Sequence, residues 1–318
     1  LQPTKTYYWK VMVWDEQQQA SAWSPPARWQ MGLLTAADWR GAQWIAYEKL
    51  PAERVDVLPG SLKKDSYQGN NVLPLLRKDF RVKKKLRRAT AYVCGLGQFE
   101  LHLNGRKVGD HFLDPAWTKY DRHAQYVTFD VTEQLRKGDN AVGVLLGNGF
   151  YYVPPVKGRY RKLKTAFGYP KLLCRFVLDY ADGSQENVVS DASWKTTAGP
   201  VTFSSIFGGE DYDARREQPG WDAPRFDDKT WKPALLVAGP AQLDAEQAEP
   251  LKVHETFQPR QVTQPQPGKF VYDFGQNASG IVELRVQGKA GDTVRLAPAE
   301  LLGADQLVSQ KNSGRPYY

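Results

Sequence analysis

Cysteine is scarce in this sequence of 318 residues, which contains only Cys94 and Cys174. Two cysteines cannot build the dense disulfide framework that stabilises small secreted domains, and their spacing is not that of a zinc site. Each lies inside an apolar segment that is typical of a strand. We therefore expect two buried free thiols, with a single cross-strand disulfide as the alternative in an oxidising compartment.

Histidine and long apolar segments are scarce as well. No uninterrupted apolar stretch has the length of a transmembrane helix, so we expect no membrane partner. Leu1-Gln2-Pro3 lacks the charged and apolar regions of a signal peptide. Because the sequence does not begin with Met, that lack says little about the compartment. The histidines are scattered singly, and no Ser–His–Asp arrangement can be argued from them: His102, His111, His123 and His254.

Charge is unbalanced, with a formal net charge of +8 and a dense basic run from Arg81 to Arg88. Such a run can attract nucleic acid by releasing counterions. The alternative is a solvated connection between strands, because Phe80, Val82 and Leu86 are placed as the buried partners of the basic residues. We favour the connection and expect no nucleic-acid partner.

Helical periodicity is also missing, and short strands separated by turn signals take its place. This pattern predicts an all-β fold made of tandem β-sandwiches. We expect the last strands of a small immunoglobulin-like sandwich in residues 1–36, a jelly roll in 37–245 and the start of a further sandwich in 246–318. Residues 50–72 are polar and contain proline and glycine, which predicts a long loop.

The segment 99–152 is the most informative part of the sequence. An alternating strand ends at Asn104-Gly105, the strongest short signal of a two-residue hairpin turn. A later apolar strand leads into Gly147-Asn148-Gly149, followed by Phe150, Tyr151 and Tyr152. Aromatic rings pack on the C–H faces of sugars, and amides satisfy their hydroxyls. Asn148, Tyr151 and Tyr152 are therefore candidate carbohydrate contacts. The alternative is that Phe150 and one tyrosine are core residues and the glycines only allow the bend.

The segment Asp114-Pro115-Ala116-Trp117 supplies two further candidates. An exposed Trp117 would suit a sugar platform, with Asp114 beside it, whereas a buried tryptophan would only fill the sandwich.

Three carboxylates cluster beside a glycine pair at Glu210, Asp211 and Asp213. They can form a structural loop paired with Arg215 and Arg216, which is the interpretation we favour. They can also contact a ligand or a calcium ion, which prefers several oxygen ligands. The third alternative is the acid and base pair of a glycosidase.

These motifs, taken in order, resemble the N-terminal half of a bacterial α-L-rhamnosidase of the inverting, multidomain glycoside hydrolase family. The resemblance covers nearly the whole chain, with marks in all three predicted domains: Tyr8-Trp9-Lys10-Val11, Trp23-Ser24, Leu103-Asn104-Gly105, Trp117-Thr118-Lys119-Tyr120, Leu146-Gly147-Asn148-Gly149, Gly209-Glu210-Asp211-Tyr212-Asp213-Ala214-Arg215 and Tyr272-Asp273-Phe274-Gly275-Gln276-Asn277.

The resemblance implies a fibronectin-type-III-like leader, a rhamnosidase jelly roll and the start of the next family sandwich. It implies that hydrolysis belongs to carboxylates of an α/α-toroid domain, so that no catalytic residue lies in this chain. It also implies that a jelly roll can bind rhamnose with calcium, for which Asn148 is a possible ligand; no other cofactor is expected. The implied partners are a rhamnose-containing carbohydrate and the missing catalytic domain, in a secreted or periplasmic protein.

We expect an accessory region that binds carbohydrate, supports the catalytic domain, or both. One alternative is a purely structural β-sandwich that binds no sugar. The other is a fragment that hydrolyses glycosides itself, using Glu210 with Asp211 or Asp213.

Overall fold

A computed structural model describes residues 1–49, 72–154, 159 and 167–310. It divides the chain into two compact units, Leu1–Lys252 and Val253–Tyr318. The predicted loop at 50–72 lies outside the described residues except for Val72. The all-β prediction is confirmed. The predicted domain boundaries at 36/37 and 245/246 stay predictions.

Strands account for almost all the regular structure in the described residues, and two short 3-10 helices, Ala36–Trp39 and Ala214–Arg216, complete it. The strands, in chain order, are β1 (Thr6–Trp9), β2 (Ala27–Gln30), β3 (Ile45–Ala46), β4 (Pro74–Val82), β5 (Leu86–Leu96), β6 (Gln98–Leu103), β7 (Arg106–Lys107), β8 (Ala124–Asp130), β9 (Gly138–Gly147), β10 (Lys171–Tyr180), β11 (Gln185–Val189), β12 (Lys195–Ala198), β13 (Val201–Ser205), β14 (Gly209–Tyr212), β15 (Lys232–Pro233), β16 (Leu235–Leu236), β17 (Leu243–Ala245), β18 (Gln261–Gln266), β19 (Lys269–Asp273), β20 (Leu301–Leu302) and β21 (Val308–Ser309).

Two sheets form the sandwich of the first unit. Within the described residues, one has the order β16-β3-β10-β5-β8-β17 with β11 also paired to β10, and the other has the order β15-β12-β4-β9-β6-β7. Alternate side chains of both sheets meet in one buried core, as the two-residue period of a strand requires. Its members include Val93 of β5, Phe176 of β10, Val144 of β9 and Leu101 of β6.

A second apolar core covers the outer face of the β5–β10 sheet. The residues of β5 that point away from the first core, Tyr92, Cys94 and Leu96, pack there with Trp39 and other aromatic residues. This sheet is therefore buried on both faces, which explains why β5 and β10 have almost continuous apolar sequences.

The two cysteines lie on opposite faces of this sheet. Cys94 pairs with Leu173 of the neighbouring strand, while Cys174 is the next residue along and points the other way. Cys94 belongs to the second core, on the outer face of the sheet (the outer core), and Cys174 belongs to the first core, between the two sheets (the inner core). Both are free and buried, and burial raises the pKa of each thiol well above its usual range. The disulfide alternative is wrong, and the prediction of buried thiols is confirmed.

The predicted hairpin at Asn104-Gly105 is confirmed. The two residues have φ values of +53° and +85°, and they connect β6 to β7 directly. This is the two-residue turn that needs positive φ at both central positions.

The segment that follows β14 and contains Trp221 and Asp228 packs on the outer face of the β4–β9 sheet. Arg77 of β4 is only 1% exposed there. Its guanidinium donates to Trp221 O at 2.9 Å and pairs with Asp79 at 2.6 Å and with Asp228. The ring of Trp221 lies against β9, where a Cβ on Gly143 would approach it to 2.5 Å. Packing and a buried ion pair therefore hold this segment on the sheet.

The basic run is a connection between strands. Lys83 pairs with Glu186 at 2.8 Å, and Lys84 pairs with Asp182 at 2.7 Å. These pairs favour the interpretation as a solvated connection over nucleic-acid binding. No helix of the described residues is long and apolar enough to cross a membrane.

The β1–β2 ribbon packs on the outer face of the sandwich within the first unit. Gln30 donates to Tyr92 Oη at 3.2 Å, and Arg88 of β5 donates to Thr6 Oγ1 at 2.9 Å. The second unit contains the pairs β18–β19 and β20–β21, and it exposes many apolar side chains, among them Ile281 and Val286.

Candidate functional site

Three separate segments meet at one end of the β6–β9 strand pair. The strands end where Gln98 pairs with Gly147. The segment 112–117 joins β6 there, because Phe99 N donates to Asp114 O at 2.8 Å. The β13–β14 hairpin joins through Asn148, whose Nδ2 donates to Ser204 O at 2.7 Å. The fold thus brings the candidate residues of three sequence segments to one place.

Glycine is required where these backbones cross. Gly97 has a φ of +82°, and a Cβ there would lie 2.1 Å from the carbonyl oxygen of Gly147. Gly149 has a φ of +50°, and a Cβ there would lie 3.0 Å from the carbonyl group of Gly97. Glycine fits such close approaches, so Gly97 and Gly149 allow the backbone after β9 to bend against the start of β6.

An aromatic ledge, formed by Trp117, Phe150 and Phe207, lies at this end. Trp117 stacks on Phe150 with ring centroids 4.5 Å apart and planes 14° apart. Phe207 meets Phe150 edge to face at 5.9 Å. Trp117 is 60% exposed, so much of its indole faces solvent. An indole supported by a second ring is a rigid apolar surface of the kind that packs against the C–H face of a sugar.

Asn148, Tyr151 and Tyr152, which neighbour Phe150 in the sequence, are buried. Their exposures are 0%, 3% and 1%. Tyr151 stacks on Phe167 at 5.8 Å and belongs to the outer core, while Tyr152 packs edge to face on Tyr169 at 5.2 Å. The structure therefore favours a supporting role for these three residues, and their direct contact with sugar stays a prediction.

Asp114 is buried as well, at 5% exposure, and its carboxylate lies 2.9 Å from Nδ1 of His111. Burial raises the pKa of Asp114, although His111 opposes that rise. The pair anchors the segment that carries Trp117. Of the residues predicted for this segment, Trp117 is the one that reaches the surface.

The acidic segment forms β14 and the turn after it. Both carboxylate oxygens of Asp211 accept from Arg159 Nη2 at 2.6 Å. Asp213 accepts from Arg215 Nε at 2.7 Å and pairs with Arg216 at 3.5 Å, and hydrogen bonding to Arg215 lowers the pKa of Asp213. These contacts favour the structural-loop interpretation for both residues.

Glu210 differs from its neighbours. It accepts no hydrogen bond from any residue that the structure describes, and partial burial together with the charge of Glu100 raises its pKa. A raised pKa suits the acid of a glycosidase and a lowered pKa suits its base, but the carboxylate of Asp213 is already engaged by Arg215 and Arg216.

No group of three or more His, Cys, Asp or Glu side chains that could hold a metal ion occurs among the described residues. Asp211 and Asp213 are already paired with arginines, and Asn148 uses its amide nitrogen on Ser204. Calcium binding at Asn148 stays a prediction.

A histidine–carboxylate cluster, formed by Glu100, His102, Lys107 and Asp222, was missed by the sequence analysis. His102 Nδ1 lies 2.7 Å from Asp222, and its Nε2 lies 3.6 Å from Glu100. Burial alone would lower the pKa of His102, but these carboxylates outweigh it and raise the pKa to about 9. Strand alternation could have placed Glu100 and His102 on one face of β6. Nothing local indicates Asp222, which is 120 residues away.

Comparison with known protein families identifies the family to which the chain belongs. Residues 84–255, more than half of it, match the family model described as "Alpha-L-rhamnosidase N-terminal domain". The chain belongs to the bacterial α-L-rhamnosidase family. Residues 1–35 match "Rha78A-like, N-terminal immunoglobulin domain", and residues 263–315 match "Bacterial alpha-L-rhamnosidase concanavalin-like domain". The expected resemblance is confirmed, while the fibronectin-III-like assignment of the leader is not tested.

Relatives of known activity support this placement. A curated α-L-rhamnosidase of Formosa agariphila is 37% identical over 95% of this chain, which covers 32% of that protein. The structure of an α-L-rhamnosidase from Dictyoglumus thermophilum is 39% identical, with a TM-score of 0.71 over 87% of this chain and 30% of that one. The structure of a Streptomyces avermitilis α-L-rhamnosidase complexed with L-rhamnose is 25% identical, with a TM-score of 0.82 over 98% of this chain and 45% of that one.

The chain spans between 23% and 32% of the length of the curated relatives it matches. It corresponds to the N-terminal region of these rhamnosidases.

Proposed function

We propose that this chain is the accessory region of a secreted or periplasmic α-L-rhamnosidase that removes terminal α-L-rhamnose from glycosides or polysaccharides. In this proposal the sandwich supports a catalytic α/α toroid elsewhere in the protein and holds a rhamnose-containing carbohydrate at the aromatic ledge. The observation that carries the binding half is the exposed indole of Trp117, stacked on Phe150.

The surroundings of the ledge support this role. Asn148 hydrogen-bonds the end of β9 to Ser204 of β13, and the pair of His111 and Asp114 anchors the segment before Trp117. Sites on rigid scaffolds lose less conformational entropy on binding than sites on free loops. The buried candidates therefore contribute by fixing the ring that would contact the sugar.

Isothermal titration of L-rhamnose into the chain tests the binding half. We expect saturable, weak binding, and Trp117→Ala should weaken it by about fivefold to tenfold, because the stacking surface is worth about 1 kcal/mol. Trp23→Ala is the matched control, since Trp23 is a comparably exposed tryptophan, at 57%, outside the ledge. If wild type binds no rhamnose, or if both variants bind as wild type does, the ledge is not a rhamnose site. Such a result would favour the alternative of a purely structural β-sandwich.

The hydrolytic alternative is tested with an aryl α-L-rhamnoside. We expect the chain alone to release no p-nitrophenol, because Asp211 and Asp213 are committed to arginines. Release that disappears in Glu210→Gln would establish that this region is itself hydrolytic.

A further inference from the structure

A polar cleft lies between the β1–β2 ribbon and the end of the β5–β8–β10 strands, away from the aromatic ledge. Its volume is about 680 Å³, and we call it the ribbon cleft; its lining includes Tyr8, Arg28, Arg87, Arg88 and Gln134. That volume is typical of small-molecule sites, which occupy roughly 300–1,000 Å³. Arg88 and Thr6, both in its lining, are joined by a hydrogen bond of 2.9 Å.

Three cations of the ribbon cleft lack an acidic partner. Lys5, Arg28 and Arg87 line it, and no carboxylate of a described residue lies within ion-pair distance of them. The neighbouring Lys83 and Lys84, by contrast, are both paired with carboxylates outside the cleft. The unpaired guanidinium groups keep all their donors for a ligand, and arginine prefers to bind carboxylates through two parallel hydrogen bonds.

The acidic residues of the ribbon cleft are partly engaged with the protein. Asp130 accepts from Thr132 Oγ1 at 2.6 Å, and Asp179 accepts from Gln185 Nε2 at 2.9 Å. The third, Glu133, is exposed. Carboxylates of this kind are also the acceptors that sugar hydroxyls use.

Two buried polar atoms in the lining have no hydrogen-bond partner among the described residues. They are the donor Nε of Arg88 and the acceptor Oε1 of Gln134. The Nε atom lies 3.7 Å from Asp130, which is within ion-pair range but too long for a hydrogen bond. Both atoms are covered by protein and do not face the cleft, so the recognition of a ligand falls to the unpaired cations.

We propose that the ribbon cleft binds a sugar unit that carries a carboxylate, that is, a uronate residue of an acidic carbohydrate. The carboxylate lies on Arg28 and Arg87, hydroxyl groups donate to the carboxylates of the cleft, and the ring packs against the exposed Tyr8. Tyr8 and Arg28 are held side by side, because they pair directly across β1 and β2. This site is separate from the aromatic ledge and does not depend on the function proposed for it.

Isothermal titration of D-glucuronate, D-glucose and sulfate into the whole chain, at constant ionic strength, tests this proposal. We expect glucuronate to bind, and Arg28→Gln and Arg87→Gln each to weaken it by roughly threefold to tenfold. Lys85→Gln is the matched control, because Lys85 is an exposed cation two residues from Arg87 that does not line the cleft. Trp117→Ala, which alters the aromatic ledge, should leave glucuronate binding unchanged.

Several results would overturn the proposal. Glucose binding as tightly as glucuronate would contradict the role of the cations, and sulfate binding as tightly would reduce the cleft to a simple anion site. No binding of glucuronate, or equal effects of Lys85→Gln and Arg87→Gln, would remove the site. Loss of glucuronate binding in Trp117→Ala would contradict the separation of this site from the aromatic ledge.

Discussion

Replacement of His102 by glutamine should remove a defined part of the stability of the sandwich, and the loss should depend on pH. The imidazole side chain is 20% exposed and lies between Asp222, which is 11% exposed, and Glu100, which is 45% exposed. Because solvent screens Glu100 more strongly, Asp222 supplies most of the stabilisation of the protonated ring.

The magnitude follows from the pKa of His102, which rises from its ordinary 6.5 to about 9 in the folded protein. One pKa unit corresponds to about 1.4 kcal/mol, so the full shift corresponds to about 3.5 kcal/mol. Screening of the partly exposed Glu100 reduces the contribution of the protonated ring to about 2–3 kcal/mol of the free energy of unfolding. Below pH 6.5 both the folded and the unfolded chain hold the proton, and the contribution is complete. Between pH 6.5 and about 9 only the folded chain holds it, so stability falls as the pH rises, and above that range the contribution is gone.

Urea denaturation followed by tryptophan fluorescence measures this contribution. The difference in unfolding free energy between wild type and His102→Gln should be about 2–3 kcal/mol larger at about pH 6 than at about pH 10. His123→Gln is the control, because His123 forms no ion pair with any residue in the described part of the chain. An equal loss at both pH values in His102→Gln would refute the reasoning.

Three further predictions concern the packing of the sandwich. Arg77→Met should destabilise the chain by about 2–4 kcal/mol in urea denaturation, because Asp228 then keeps only the partly exposed Lys195 and two backbone carbonyl groups lose their buried donor. Gly97→Ala should cost about 2–4 kcal/mol in the same assay, because the backbone has positive φ and leaves no space for a Cβ. Cys94 and Cys174 should react with Ellman's reagent only after unfolding, because both are buried and their thiols stay protonated.

A specific result would contradict each of these three predictions. Arg77→Met is compared with Arg81→Met, which removes an exposed arginine from the same strand, and equal effects would exclude the buried-charge explanation. A Gly97→Ala variant as stable as wild type would show that the crossing backbones can separate. Thiol titration of the native chain at a rate near that of free cysteine would contradict the burial of both residues.

Local signals in the sequence predicted the strands and the main turn. The Asn104-Gly105 pair required positive φ, and the alternation of β6 gave the inward-facing residues, Leu101 and Leu103 among them. The apolar segments around the two cysteines predicted buried thiols. The sequence could not exclude a disulfide, because strand alternation places Cys94 and Cys174 on opposite faces only once the register between β5 and β10 is known.

The roles of the candidate site residues depended on contacts that no local pattern shows. Tyr151 and Tyr152 follow an exposed-looking glycine bend, but the second core buries Tyr151, and Tyr152 is buried where it packs against Tyr169. The pairing of Asp211 with Arg159 spans 52 residues, and that of His102 with Asp222 spans 120. Residue type and spacing identified the family and the segments of the site, whereas tertiary packing decided which side chains reach the surface.

A crystal structure of the chain with L-rhamnose is the most direct test of the central claim, that the accessory region holds carbohydrate at the aromatic ledge. The account predicts a rhamnose ring packed on the exposed face of Trp117, with Phe150 behind the indole as in the free protein. Rhamnose bound elsewhere on the sandwich, or an empty ledge at saturating sugar, would contradict it.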